Sequence, residues 1–208
     1  MTEVTEPFAD YLAAEGPHML EIGAQSCKPG WLACDLWPRP KANVHALDAT
    51  KPFNLPSDSF DCVFSEHMIE HITYKQGEHM LQECYRVLKP GGVIRIITPS
   101  LGFLLRAISA DRSDLEDAYY KWSVKTWCPD VKNPTAAHFI DNFMRNWSHT
   151  FIYDHACMRS TLQDCGFTEV RERELGDSID PRMRGLENAA RMPAGYLALE
   201  SMIYEGKK

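Results

Sequence analysis

The stretch from Phe60 to Pro99 most constrains what this chain can fold into. Phe60-Asp61-Cys62-Val63-Phe64-Ser65 is an apolar run of the length expected for a buried strand. Met80, Leu81, Cys84, Tyr85 and Leu88 then recur at three- and four-residue spacing, which predicts a helix with one apolar face. Glu78, Gln82, Glu83 and Arg86 fall mostly on its other side, where Glu83 can pair with Arg86 one turn on. Lys89-Pro90-Gly91-Gly92 is expected to stop the helix: Pro90 cannot continue it, and glycines permit the positive φ of a tight turn. Val93-Ile94-Arg95-Ile96-Ile97-Thr98 follows, with the β-branched residues that strands favour. Strand, helix, sharp turn and strand in that order predict parallel strands joined by a helical crossover.

Three shorter apolar runs precede this unit. Met19-Leu20-Glu21-Ile22 ends at Gly23, while Trp31-Leu32-Ala33-Cys34-Asp35 and Asn43-Val44-His45-Ala46-Leu47-Asp48 each end on a carboxylate. Pro7 to Ala14 predicts a short N-terminal helix. Downstream, Asp154 to Asp164 predicts a helix closed by Cys165-Gly166, and Phe167 to Glu174 and Tyr196 to Glu205 predict two strands. With no helix expected between them, these last strands are best paired antiparallel. Residues 101–150 break the alternation. They are rich in aromatics, with helices predicted over Leu101–Ala110 and Leu115–Lys125, and read either as a cap over the sheet edge or as a second small core. The expectation is one domain over residues 1–208.

The ordered motifs resemble those of class I S-adenosylmethionine-dependent methyltransferases, nearest to small bacterial forms with a shortened first crossover. The likeness rests on Leu20-Glu21-Ile22-Gly23, on Gly30-Trp31 through Asp35, on Asp48, on Leu55 through His67, and on Arg86-Val87-Leu88-Lys89-Pro90-Gly91-Gly92. It implies a Rossmann-like α/β fold: a mostly parallel seven-stranded sheet with an antiparallel C-terminal strand, here with a helical insertion after the fifth strand. It also implies S-adenosyl-L-methionine as cofactor, S-adenosyl-L-homocysteine as product, and methyl transfer; the acidic chain and the aromatic insertion point to a small-molecule acceptor such as a sugar or polar metabolite.

The resemblance assigns cofactor contacts to Glu21, Gly23, Ala24, Asp35, Leu36, Asp48, Ala49, Ser65 and Glu66. Asp35 would accept both ribose hydroxyls, and Asp48 with Ala49 would meet the adenine. Ligands of open parallel sheets do bind beyond the carboxyl ends of the strands, where both aspartates lie. The competing role for either is a turn or helix-cap carboxylate. The family's first loop commonly reads Gly-x-Gly-x-Gly. Here it reads Gly23-Ala24-Gln25-Ser26-Cys27-Lys28-Pro29-Gly30, too short for a full crossover helix. A module that kept the fold and lost the cofactor is therefore an alternative function.

His67 is the candidate general base, placed just past the fourth strand; plain packing is the competing role. His67-Met68-Ile69-Glu70-His71 also matches the H-x-x-E-H pattern of zinc peptidases, so a zinc hydrolase through His67 and His71 is a third reading, although no metal is expected. His149, Tyr153 and Arg184 are candidate substrate contacts. A formal net charge of -7 disfavours sequence-independent binding to nucleic acid. Seven cysteines without a C-x-x-C pair suggest a reducing compartment. The acidic start, residues 1–6, lacks signal-peptide character, and no apolar run is long enough to span a membrane. A cytoplasmic location is expected.

Overall fold

The computed structural model describes residues 6–208. Most of the acidic N-terminal stretch, residues 1–5, lies outside them. In chain order the elements are α1 (Glu6–Ala13), β1 (Met19–Ile22), β2 (Trp31–Asp35), β3 (Val44–Ala46), β4 (Phe60–Glu66), α2 (Tyr74–Val87), β5 (Leu88–Pro99), α3 (Leu101–Ala107), α4 (Asp114–Trp127), α5 (Ala136–Asp141), α6 (His155–Asp164), β6 (Thr168–Arg173), α7 (Tyr196–Glu200) and β7 (Ser201–Lys207). The seven strands form one sheet in the order β3-β2-β1-β4-β5-β7-β6. β1 to β5 run parallel, and β7 lies antiparallel between β5 and β6. The expected sheet class is thus observed.

Strand side chains alternate between two faces. Leu20, Ile22, Leu32, Cys34, Val63, Ile94, Ile96, Met202 and Tyr204 enter the main core. There they meet Met80, Leu81, Cys84 and Val87 of α2 and Met158 and Leu162 of α6. α2 starts at a capping box, in which Thr73 and Gln76 satisfy each other's backbone N–H. The expected Glu83–Arg86 pair forms at 2.7 Å and reaches further: Arg86 also donates to the carbonyls of Phe53 and Leu55, tying down the chain ahead of β4. The opposite face carries Met19, Trp31, Cys62, Phe64, Val93, Ile97 and Ile203. Among the described residues, no α-helix contributes to the cluster on it. Leu175, Met183 and Leu186, from the irregular strap between β6 and α7, pack there instead.

Two local expectations are corrected. Lys89–Gly92 does not follow the helix as a separate turn; it is the irregular start of β5. The ladder jumps from Phe60↔Leu88 to Cys62↔Val93, because Pro90 has no N–H to donate and Gly91 sits at φ +80°. The predicted strand Tyr196–Glu205 is a short helix followed by a strand. Gly195 at φ +85° turns the chain, and Tyr196 packs into the aromatic core of the insertion. That core joins Phe103, Tyr119, Phe139 and Phe143, so residues 101–150 do contain a small core of their own. The segment from Ala136 to Asn146, a helix running into a π-helical turn, was not expected from sequence. All seven cysteines are free thiols.

Candidate active site

Between β1 and β4 the strand order reverses, and the carboxyl ends of the strands open into a cleft there. The cleft has two halves. The polar half, about 360 Å³, is lined by Glu21, Gly23, Lys28 and Glu66, with Glu187 and Asn188 from the strap. The aromatic half, about 370 Å³, is lined by Tyr119, Trp122, Trp127, Phe143 and Trp147 of the insertion and by Glu70, His71 and His149. Gln25, His67 and Arg191 border both halves.

The loop after β1 is set by Gly23. Its φ is +84°, and a Cβ there would lie 2.6 Å from that of Met68. The missing side chain therefore makes room for Met68, whereas the sequence suggested room for the cofactor. The N–H groups of Gly23 and Ala24 both donate to the Cys34 carbonyl, at 2.8 and 3.0 Å, so a turn replaces the crossover helix. Glu21 reaches Lys28 across this loop at 2.5 Å. Burial raises the Glu21 carboxyl above its ordinary value, against the opposing pull of Lys28.

β4 ends at Glu66, and His67 takes a left-handed conformation, φ +49°, while its N–H donates to the Ile97 carbonyl. Ile69–His71 then form one 3-10 turn. His67 and His71 are consequently not a helical i, i+4 pair, so the geometry that the zinc-hydrolase reading needs is absent. The His67 ring is held through Nε2, 2.9 Å from Oγ of Ser201, while Nδ1 lies 3.3 Å from Oε1 of Glu70. Glu70 is fully buried, and its Oε2 accepts from Oγ1 of Thr98. Burial acts to raise the Glu70 carboxyl, but the imidazoles of His67 and His71 outweigh it and the net shift is downward. Burial lowers His149 to about 4. Glu200 is raised, chiefly by burial, and accepts a hydrogen bond from the Tyr119 hydroxyl.

The other expected cofactor residues are spread along the same sheet edge. Asp35 and Asp48 sit at the carboxyl ends of β2 and β3, beyond the cleft lining. Each uses Oδ1 in a local turn: Asp35 accepts from the Trp37 N–H at 2.8 Å, and Asp48 from the N–H and hydroxyl of Thr50. Those hydrogen bonds, with the Thr50 hydroxyl first, lower the Asp48 carboxyl. Leu36 is exposed beside Asp35, whereas Ala24 and Ala49 are buried. Ser65 is buried with its hydroxyl unpartnered, and Glu66 accepts from the Asn188 N–H.

Of the three candidate substrate contacts, only His149 lines the cleft. Tyr153 is fully buried in the main core, over Gly77, where a Cβ would lie 2.3 Å from its hydroxyl. It does not line either half of the cleft. Arg184 lies on the outer surface of the strap, its Nε donating to the Ser178 carbonyl. Arg191 of the same strap takes the cleft position. Lys28 and Glu200 were not singled out from sequence; Glu200 sat in a stretch read as strand.

Residues 16–96 match the family model described as a methyltransferase domain. No curated protein matches the chain. A S-adenosylmethionine-dependent methyltransferase from Archaeoglobus fulgidus shares the fold with a TM-score of 0.54 at 16% identity, over 97% of this chain and 90% of that one. One from Mesorhizobium loti has a TM-score of 0.55 at 15% identity, over 92% and 90%. Haemonchus contortus phosphoethanolamine N-methyltransferase 2, solved with phosphomonomethylethanolamine and S-adenosylhomocysteine, has a TM-score of 0.51 at 15% identity; 97% of this chain spans 51% of that protein. The sheet order and the cleft at its reversal point are thus those of a fold shared with solved S-adenosylmethionine-dependent methyltransferases, and residues 16–96 are similar to a methyltransferase domain.

Proposed function

We propose that this chain binds S-adenosylmethionine in the polar half of the cleft and methylates a small polar molecule held in the aromatic half. The observation that carries this reading is that His67, Gln25 and Arg191 border both halves, so one boundary serves two ligands. The polar half offers both signs of charge, Lys28 and Arg191 with Glu66 and Glu187, which fits a zwitterionic amino-acid end. Asp35 takes the ribose through its remaining oxygen, and Asp48, Ala49 and Leu36 flank the base. Gly23 and Ala24 border the methionine end, with Ser65 beneath it.

Bound, the cofactor supplies an electrophilic methyl group. The protein orients the acceptor and takes its proton. Glu70 beside Nδ1 of His67 favours the tautomer protonated there, which leaves Nε2, now at Ser201, to act as base. The insertion, residues 101–150, serves as a cap, and its aromatic wall suits a small organic acceptor. We place the protein in the cytoplasm, in line with its seven free thiols. Among the described residues, no helix is long and apolar enough to cross a membrane.

Calorimetric titration with S-adenosylhomocysteine tests the reading. Saturable binding is expected, weakened in Asp35→Ala by about 1.5–3 kcal/mol, the usual worth of a charged hydrogen bond. No binding at millimolar ligand to folded protein would overturn it. That outcome would favour the second reading, a methyltransferase fold without cofactor, which the helix-free loop at Gly23–Gly30 and the local turns of Asp35 and Asp48 support.

A further inference from the structure

Glu70, His71 and His149 each turn one ligand-type atom toward the others, all within 4.8 Å. They come from distant parts of the chain. Glu70 and His71 belong to the 3-10 turn after β4, and His149 closes the aromatic insertion. Backbone bonds hold the two parts together: Thr150 and Phe151 both donate to the Glu70 carbonyl, at 2.7 and 3.2 Å, and the Thr150 hydroxyl donates to the His71 carbonyl. The placement of His149 beside His71 is therefore built by the main chain, and the two rings meet edge to face at 5.0 Å.

The cluster is incompletely satisfied. Glu70 is fully buried, yet its Oε1 accepts no hydrogen bond; His67 Nδ1 approaches at 3.3 Å and His71 Nε2 at 4.0 Å, neither aligned to donate. Nδ1 of His149 is likewise buried without a partner. Unpaired polar atoms are costly in a protein interior and usually mark a missing partner. A cation among one carboxylate oxygen and two imidazole nitrogens satisfies all three groups at once.

We propose that Glu70, His71 and His149 form a binding site for a divalent transition-metal ion. One oxygen and two nitrogens suit Zn²⁺, Co²⁺ or Mn²⁺ better than Ca²⁺ or Mg²⁺, which favour all-oxygen sets. Three protein ligands leave coordination positions open, and these face the aromatic half of the cleft, where oxygen atoms of an acceptor can complete the shell. His67, with Nδ1 3.3 Å from Oε1 of Glu70, stands just outside this ligand set. The site does not require that the chain bind S-adenosylmethionine.

The test is calorimetry on chelator-treated full-length protein with Zn²⁺, Co²⁺ and Mn²⁺ in turn, paired with the visible absorption of the Co²⁺ form. One ion per chain is expected. His149→Ala and Glu70→Gln should each weaken binding by at least about tenfold, the scale at which even outer-sphere partners act. Circular dichroism verifies that the variants fold, and His71→Ala, at a partly exposed ring, is the variant least able to disturb the core. Failure of all three ions to bind, or binding that His71→Ala and His149→Ala leave unchanged, would overturn the proposal. Titrating the same chelator-treated sample with S-adenosylhomocysteine separates the two ideas: cofactor product without metal sinks only the metal site, and metal without cofactor product sinks only the methyl-transfer reading.

Discussion

The two faces of the sheet are covered in different ways. One lies under α2 and α6, whose backbone groups are satisfied within each helix, so they need to offer the sheet only apolar side chains. The other lies under the strap from Glu174 to Arg191, whose internal pairing is limited to short turns such as Met183 N–H to the Asp180 carbonyl. There the sheet itself supplies polar groups. Arg95 of β5 is fully buried, pairs with Glu187 of the strap and Glu205 of β7, and donates to the Asp177 carbonyl at 2.6 Å. Glu205 accepts from the Ile179 N–H at 2.9 Å, and Glu187 from that of Gly176. An irregular segment can thus replace a helix over a sheet when buried charges meet its exposed backbone. The arrangement also brings function, because the same strap carries Glu187, Asn188 and Arg191 to the cleft.

The contrast breaks most readily at Arg95. Arg95→Met leaves the buried Glu187 without its cation and Glu205 with Arg173 alone, and should cost about 3–5 kcal/mol, read by urea denaturation. It should also expose the strap to proteolysis; a loss under about 1 kcal/mol would mean that apolar packing alone holds the strap. On the helical face, Leu81→Ala removes fully buried side-chain volume and should cost about 2–5 kcal/mol, most of it as a cavity. Hydrogen exchange in the strap should rise no more than elsewhere, and selective release of the strap would show that the faces are coupled.

Two smaller effects sharpen the picture. Thr73→Ala removes one side of the α2 capping box and should cost about 1 kcal/mol in thermal or chemical unfolding, without altering ligand binding. The last concerns pH. Burial holds the Glu21 carboxyl above its ordinary 4.5 on the strap-covered face. Between that value and the raised one, the folded state binds more proton than the unfolded chain, so stability falls as pH rises through the window and then levels off. Wild type should therefore gain stability relative to Glu21→Gln as the pH is lowered toward 4.5. Stability curves that stay parallel throughout would remove burial of Glu21 from the account.

Much of the helical side was legible from local pattern. The apolar runs at Met19, Trp31, Phe60 and Val93 are strands, and the Met80-to-Leu88 periodicity is a helix with its Glu83–Arg86 pair in place. These rest on contacts between near neighbours or on a strand's two-residue period, which the order of residues states directly. The strap is not legible for the opposite reason. Nothing local shows that Arg95 in the middle of a strand waits for Glu187. Tyr196 to Glu200 shares that fate: its apolar residues fit a strand until the aromatic core of the insertion draws Tyr196 in.

By itself, the order of residues determined the parallel sheet, its crossover helix and the antiparallel finish, and through them where a ligand would sit. Tertiary structure alone decided who stands in the cleft. It sent Tyr153 into the core over Gly77, left Arg184 on the surface in favour of Arg191, and set Met68 against Gly23. It brought His149 beside His71 and Glu70. Each of these follows from contacts between residues distant in the chain, where loop conformation and backbone hydrogen bonds choose the neighbours and no sequence period records the choice.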